Sequence, residues 1–307
     1  MKMLREPRIL YISPGNFPDY QNDCIFHGLK SLLGDSVVDA FPPWYMYEPT
    51  EQNQMNYKCL YGKGFTLYGL LKFSEAIDRT DIAAKIRSKY FDLVIYGSVH
   101  RSQKFLFDVL THYPEDRICF VDGEDSADLY RLVVGRGRYF KRELLEHWIS
   151  SGTSLKMLPI GFGIPKEKIV ATVPKKERVV AHIDPRDKAT YIYDNEVDYY
   201  KGYQDSCFGI TTKKAGWDCM RHYEILANGC FPIFLDLPQF PASVMTHYPK
   251  HQMLWAYEYL TQERKNGEAV PNDEYLSHLN AAMGVFRAQC TTEAVAKYLL
   301  GQCSDRC

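Results

Sequence analysis

The sequence lacks the features that mark several large protein classes. No N-x-S/T sequon and no export signal occur, and no apolar run approaches the ~18 residues of a membrane-spanning helix. The nine cysteines are scattered and form no C-x-x-C pair, which is typical of reduced thiols and not of a disulfide framework. These absences predict a protein of the cytoplasm, either bacterial or of a host cell if the chain is viral, with no membrane span.

Net charge is also nearly absent. The 307 residues contain 37 basic and 38 acidic side chains, a formal net charge of -1. No overall positive field therefore exists that would hold nucleic acid or an anionic membrane without sequence preference. The sequence has no P-loop, no complete G-x-G-x-x-G and no G-x-S-x-G elbow. His247 and His251 are separated by Pro249, so they do not share a regular helix face, and no metal site is predicted.

Short apolar runs alternate with helical patterns along the chain. The runs predict strands over 8–13, 37–40, 93–98, 118–122, 178–183, 207–211 and 231–236, with helices over 25–33, 81–90, 103–112, 196–205 and 218–228. This alternation is typical of parallel sheets with crossover helices. The predicted fold class is α/β, with two Rossmann-like domains whose parallel sheets face each other across a cleft.

The strands fall into an early group and a late group. A Gly- and Pro-rich stretch over 158–165 separates them, which predicts domains over 1–160 and 161–307. A variant of this division has the last helix packed back on the N-terminal domain. Ligands are expected beyond the carboxyl ends of the strands, where the two domains meet.

The pattern over residues 207–236 predicts a strand, a basic loop, a helix and a second strand. Asp218 is the predicted N-cap of the helix, and Gly229 stands where a glycine commonly follows a helix end. The helix N-terminus follows Lys213 and Lys214, so backbone N–H groups, the helix dipole and lysines converge there. Such a terminus favours a phosphate or diphosphate.

Two charged residues of this helix, Arg221 and Glu224, lie on one face at i and i+3. The guanidinium suits an anion at the helix N-terminus, and the carboxylate can accept hydrogen bonds from a ribose diol. The alternative interpretation is a surface ion pair worth a few tenths of a kcal/mol.

From Arg221 to Pro232 the pattern Arg-x-x-Glu-x-Leu-Ala-x-Gly-Cys-x-Pro resembles the donor-binding segment of exostosin-like and related nucleotide-sugar glycosyltransferases of the two-Rossmann (GT-B) type. The resemblance is specific over 207–236 and architectural elsewhere. It implies that Glu224 holds the nucleotide ribose and that Arg221 and the lysines hold the diphosphate. The donor-binding candidates are Lys213, Lys214, Gly216, Trp217, Asp218, Arg221 and Glu224.

The resemblance implies a glycosyltransferase that moves a sugar from a UDP- or GDP-sugar to an acceptor hydroxyl, here of a glycan. No other cofactor is expected, and the absence of Asp-x-Asp argues against the metal-dependent single-domain enzymes. The N-terminal domain would bind the acceptor and the C-terminal domain the donor. Two alternatives stay open: a phage-type enzyme acting on a hydroxylated base in DNA, and a non-catalytic nucleotide-sugar or glycan-binding protein.

A general base for the acceptor hydroxyl is sought at strand ends in the N-terminal half. The Asp-Gly-Glu-Asp cluster after the fourth predicted strand supplies the first candidates, Asp122 and Glu124, with a solvated turn as the alternative. His100 and Asp23 follow. The further cleft candidates are Asn16 in the loop after the first strand, Lys141 and Arg142 in the basic run over 135–143, and Gly161.

Overall fold

The computed structural model describes residues 7–51, 60, 66–150, 157–266 and 270–304, which contain two parallel sheets surrounded by helices. The first sheet has the strand order β2-β1-β3-β4-β5-β6, and every neighbouring pair is parallel. Its strands are β1 Ile9–Ile12, β2 Val37–Asp39, β3 Leu93–Tyr96, β4 Ile118–Asp122, β5 Arg138–Lys141 and β6 Met157–Pro159.

The second sheet has three parallel strands in the order β7-β8-β9. These are β7 Arg178–Val180, β8 Ser206–Thr211 and β9 Phe231–Phe234. The predicted α/β class with two parallel, Rossmann-like sheets is therefore confirmed. Parallel strands are covered on both faces, which explains why most of these segments read as continuous apolar runs.

The helices cover the faces of both sheets. They are α1 Tyr20–Leu33, α2 Ile82–Arg87, α3 Leu106–His112, α4 Glu146–Ser150, α5 Glu196–Gln204, α6 Met220–Ala227, α7 Lys250–Asn266, α8 Asp273–Gln289 and α9 Thr292–Ser304. None of the described helices combines the length and the apolar character that crossing a bilayer requires.

Helix α1 begins five residues before its predicted start. Asp19 caps it: the side chain accepts hydrogen bonds from the backbone N–H groups of Gln21 and Asn22, as N-cap aspartates do. The first turn is polar yet buried, so hydrophobic periodicity begins only further along.

Strands β5 and β6 were not among the predicted strands. The basic run over 135–143 is predicted either to line the cleft or to form a loop before the next helix, but Arg138–Lys141 is a buried strand between β4 and β6. Its charges conceal the pattern, because Lys141 is fully buried and neutralised by an ion pair with Asp122. Sequence periodicity does not detect a strand whose charged residues are buried in the fold.

The last helix, α9, packs on α1 of the first sheet. His27 Nδ1 lies 2.9 Å from Thr292 Oγ1, and the backbone of Ile164 pairs with Cys290 and Thr292 at 2.9 and 3.1 Å. The chain thus returns to its N-terminal half after completing the second sheet. The domain boundary near residue 160 stays a prediction; it falls directly after β6.

Close packing of α1 on α9 makes Gly28 sensitive to substitution. A Cβ there would overlap with the Thr292 carbonyl oxygen and stand 2.9 Å from the Ala296 Cβ. We expect Gly28→Ala to lower the free energy of unfolding by about 1–3 kcal/mol, the usual cost of overpacking, as measured by urea denaturation.

The matched control is Gly284→Ala on α8, where an added Cβ meets nothing within 4 Å. Alanine favours helix, so this variant should be neutral or more stable by up to about 1 kcal/mol. Equal stability of the two variants would contradict the described α1–α9 packing.

Candidate active site

Two adjoining cavities lie between the sheets. The cavity beside α6, called the α6 cavity, has a volume of about 570 Å³ and is lined by Tyr191, Tyr193, Tyr199, Lys214, Arg221 and Glu224 among others. The cavity beyond β4, called the β4 cavity, has a volume of about 460 Å³ and includes Phe17, Asp19, Tyr68, Arg101, Glu124 and Arg142 in its lining. Tyr20, Asp125 and Phe162 line both cavities. Together they form one space at the carboxyl ends of β4 and β8, where α/β proteins commonly bind ligands.

Arg221 places a buried cation in the α6 cavity. The residue is 9% exposed, and its Nη2 donates to the Tyr191 hydroxyl at 2.6 Å. Its Nε and Nη1 atoms are buried and have no hydrogen-bond partner within the described residues. Burying donors of a charged group without partners is costly, so the site is suited to an anion that supplies the missing acceptors.

The start of α6 is left open for the same kind of ligand. Cys219, not Asp218, occupies the N-cap position, no side chain caps the helix, and its first turn contains no acidic residue. The predicted N-cap role of Asp218 is therefore wrong. The predicted helix end is confirmed, since Gly229 follows it with a φ of 66° and donates to the Leu226 carbonyl at 2.9 Å.

Asp218 instead joins the loop before α6 to the first sheet. Its backbone N–H donates to Glu143 Oε1 at 2.9 Å, and its carbonyl accepts from Arg142. The carboxylate lies next to the Tyr223 hydroxyl at 3.4 Å. Burial raises the pKa of Asp218 to about 7, although Arg142 acts in the opposite direction.

Glu224 lies one turn beyond Arg221 on the same wall of the cavity. Its Oε1 accepts from Thr66 Oγ1 at 2.9 Å and its Oε2 from the Tyr199 hydroxyl at 2.8 Å. Burial raises the pKa of Glu224 to about 7, and these two hydrogen bonds oppose the shift. The carboxylate is thus oriented by neutral hydroxyl groups and not by an ion pair.

The residues of the basic loop before α6 differ in whether they line the α6 cavity. Lys214 and Gly216 line the α6 cavity, whereas Lys213 stacks its ammonium 4.3 Å from the centre of the Trp217 ring and lies outside that lining. A Cβ on Gly216 would stand 2.6 Å from Glu143 Oε1. A larger residue there would have to displace the Glu143 carboxylate, and the Asp125 carboxylate also lies close, at 3.0 Å from that position.

Arg142 connects the two halves of the site. Its Nε and Nη2 donate to the Gly123 carbonyl at 3.1 and 3.0 Å, and its Nη1 donates to Glu143 at 3.0 Å. It also binds the Asp125 carboxylate and the Asp218 carbonyl. The predicted cleft position of Arg142 agrees with its place in the β4 cavity, whereas Lys141 is enclosed with Asp122 and lines neither cavity.

The candidate bases lie in different environments. Asp122 is fully buried and accepts from Lys141 at 2.8 Å and from the Tyr139 hydroxyl. His100 Nε2 lies 3.0 Å from Asp122 Oδ2, and the His100 ring packs 4.8 Å from Tyr130, outside both cavities. Glu124 lines the β4 cavity and pairs with Arg101 at 3.0 Å.

Asp23 is enclosed in α1 and has no access to either cavity. Its side chain accepts from the Tyr45 hydroxyl and from the Asp19 N–H, both at 3.0 Å. Burial, and then the charge of Asp19, raise the pKa of Asp23 well above its usual value. These contacts give Asp23 a structural position beneath the cavity wall.

The remaining candidates, Asn16 and Gly161, line neither the α6 cavity nor the β4 cavity. Asn16 lines a third, open cavity of about 750 Å³ that adjoins the β4 cavity at Arg101. Gly161 lines a further cavity of about 260 Å³, which shares Phe162 with the α6 and β4 cavities, and its carbonyl accepts from Gln21 Nε2 at 3.2 Å. Asp125 belongs to the Asp-Gly-Glu-Asp cluster that was predicted to supply the base, whereas no sequence signal pointed to a role for Thr66, Tyr191, Tyr199 or Glu143.

Comparisons with known proteins bear on the fold. No family model and no curated protein sequence matches the chain. An alpha-glucosyltransferase solved with UDP and a 13-mer DNA containing a central A:G mismatch is similar with a TM-score of 0.50 at 8% identity, over 97% of this chain and 100% of that one. Anabaena HepE, solved with UDP and glucose, has a TM-score of 0.48 at 9% identity, over 97% and 100%. The chain has the GT-B architecture of such enzymes.

The raised pKa of Glu224 has a consequence for stability. A carboxyl whose pKa is higher in the folded than in the unfolded protein stabilises the fold at low pH, and this contribution is lost as the pH rises through about 7. The free energy of unfolding of the wild type should therefore fall more between pH 5 and pH 8 than that of Glu224→Gln. The difference between the two decreases should be on the order of 2–3 kcal/mol.

Urea denaturation at several pH values measures this difference. Glu274→Gln on α8, an exposed position, is the matched control and should keep the wild-type pH dependence. A Glu224→Gln curve parallel to the wild-type curve would contradict the described burial of the carboxyl group.

Proposed function

We propose that the chain is a glycosyltransferase that moves a sugar from a nucleotide diphosphate sugar to an acceptor hydroxyl. The observation that carries this proposal is the Arg221 guanidinium, buried in the α6 cavity with Nε and Nη1 unpartnered in the described part of the chain. A diphosphate would supply charged acceptors for both nitrogens, and such charge-assisted hydrogen bonds are short and strong.

The rest of the α6 cavity suits the other parts of a nucleotide. Glu224 can accept hydrogen bonds from the ribose diol on the same helix face, as the exostosin-like pattern implies. The rings of Tyr191, beside Arg221, and of Tyr193 also line the cavity and offer aromatic surface against which a base can stack. Because the alpha-glucosyltransferase neighbour was solved with UDP, we propose a UDP-sugar first and a GDP-sugar second.

The positive groups of the cavity suit the chemistry of transfer. When the sugar leaves, negative charge develops on the diphosphate and must be balanced by groups already in place. Arg221, Lys214 and the uncapped N-terminus of α6 lie together for this role. We propose that these groups, and not a metal ion, stabilise the leaving diphosphate.

The β4 cavity would hold the acceptor. Its lining includes the carboxylates of Asp19, Glu124 and Asp125 beside two arginines, and carboxylates accept hydrogen bonds from sugar hydroxyls. The phosphates of a DNA backbone would be repelled by these carboxylates at close range. An uncharged glycan is therefore favoured over a hydroxylated base in DNA. The non-catalytic alternative predicts donor binding without turnover.

Removing the Arg221 guanidinium tests the donor site. We expect Arg221→Ala to weaken the binding of UDP by at least about tenfold, because a hydrogen-bonded charge pair contributes roughly 1.5–3 kcal/mol. Titration calorimetry measures the dissociation constant. Arg87→Ala on α2, a half-exposed arginine, is the control. Unchanged UDP affinity in a folded Arg221→Ala protein would refute the assignment.

A thermal-shift screen with UDP, GDP and their sugars identifies the donor class. A ligand that binds only the folded protein raises the melting temperature by mass action. We expect one base to shift the transition, equally with and without a chelator. A shift that disappears with the chelator would contradict the metal-independent proposal, and no shift with any nucleotide would contradict donor binding.

A further inference from the structure

The Asp125 carboxylate lies where the α6 cavity and the β4 cavity meet. It lines both, and its side chain is 53% exposed. Its Oδ1 accepts from Arg142 and lies 3.0 Å from the position that a Cβ on Gly216 would take. The group therefore faces the loop that leads to the proposed diphosphate site and is also open to the β4 cavity.

Other carboxylates of the site do not share this position. Glu124 and Asp19 line only the β4 cavity, while Asp218 and Glu224 line only the α6 cavity. Asp122, in the same cluster as Asp125, is fully buried. Of the described carboxylates that line either cavity, Asp125 alone lines both.

We propose that Asp125 is the catalytic base that takes the proton of the acceptor hydroxyl. This inference rests on the proposed function. The acceptor oxygen forms a bond to the anomeric carbon, and the bond from that carbon to the diphosphate oxygen breaks. The electron pair leaves with the diphosphate beside Arg221, and the acceptor proton goes to Oδ2 of Asp125. A single displacement of this kind inverts the anomeric carbon.

Arg142 acts as the positioning residue for this base. One guanidinium nitrogen, Nη2, binds both Oδ1 of Asp125 and the Gly123 carbonyl, so the carboxylate is fixed relative to its own loop. The same guanidinium reaches the Asp218 carbonyl. Because base catalysis depends on placement within hydrogen-bond reach of the proton, this bridge sets the distance between the base and the donor loop.

The His100–Asp122 pair is the rival arrangement. A histidine 3.0 Å from a buried aspartate has the general form of a base held by a carboxylate. His100 lines neither of the two cavities, whereas Asp125 lines both. The two arrangements are separated by comparing variants at the two positions.

The experiment compares Asp125→Asn with Asp128→Asn, an exposed aspartate of the same loop. Nucleotide affinity is measured by calorimetry, and turnover is measured as release of UDP from UDP-glucose, or of GDP from the GDP-sugar if the screen selects it. Water and methyl glycosides serve as acceptors. We expect Asp125→Asn to keep wild-type nucleotide affinity but to lose turnover by roughly 10²–10⁴-fold. Asp128→Asn should match the wild type in both.

The pH profile separates a base from a structural residue. The dependence of turnover on pH should differ in shape between the wild type and Asp125→Asn, which a purely structural role would not produce. The proposal is overturned if Asp125→Asn turns over at the wild-type rate, or if His100→Asn loses turnover while Asp125→Asn does not.

Failure of the proposed function gives different results. If the wild type binds no nucleotide, the donor site fails and the base assignment fails with it. If the wild type binds nucleotide but releases no UDP or GDP with any acceptor, the donor-site assignment holds. The proposed transfer reaction and the assignment of Asp125 as base are then both overturned.

Discussion

The guanidinium of Arg142 is the interaction on which the rest of the site depends. It is 2% exposed and joins Gly123 and Asp125, which follow β4, to Glu143 after β5 and to the Asp218 carbonyl before α6. A planar guanidinium can serve several acceptors in a fixed geometry, which a lysine ammonium cannot do. The bridge connects the loops after β4 and β5 to the loop before α6, where Gly216 lies beside the carboxylates of Glu143 and Asp125.

The buried arginines of the two cavities differ in their hydrogen-bond partners. Arg142 has its acceptors within the chain and acts as a structural cation. Arg221 is also buried, at 9% exposure, but two of its nitrogens have no partner in the described residues. Glu224 and Asp218 are held at pKa values of about 7 by burial. Buried polar groups without partners lower the stability of the folded protein and can bind a polar ligand. Such a site is expected where function and stability conflict.

The longer apolar strands were predicted from the sequence, whereas the charged strand β5 and the three-residue strand β6 were missed. β4 was predicted at its observed bounds, because its residues are apolar almost throughout. β5 was missed because its two buried cations, Arg138 and Lys141, interrupt the apolar pattern, and the ion pair of Lys141 with Asp122 is formed only in the fold. The Asp-Gly-Glu-Asp cluster was the first choice for the base, yet its first residue, Asp122, is fully buried and paired with Lys141. The α6 pattern placed Arg221 and Glu224 on one wall of a cavity, since i, i+3 spacing is local. The contribution of Thr66 to the Glu224 site is a contact across the two sheets, which spacing cannot reveal.

The most direct measurement is a crystal structure of the wild-type chain with UDP. The account predicts diphosphate oxygens within about 3 Å of the Arg221 guanidinium nitrogens and of the first backbone N–H groups of α6. It also predicts the ribose hydroxyls at the Glu224 carboxylate. Nucleotide bound in another cavity, or bound in the α6 cavity with its diphosphate turned away from Arg221, would contradict it.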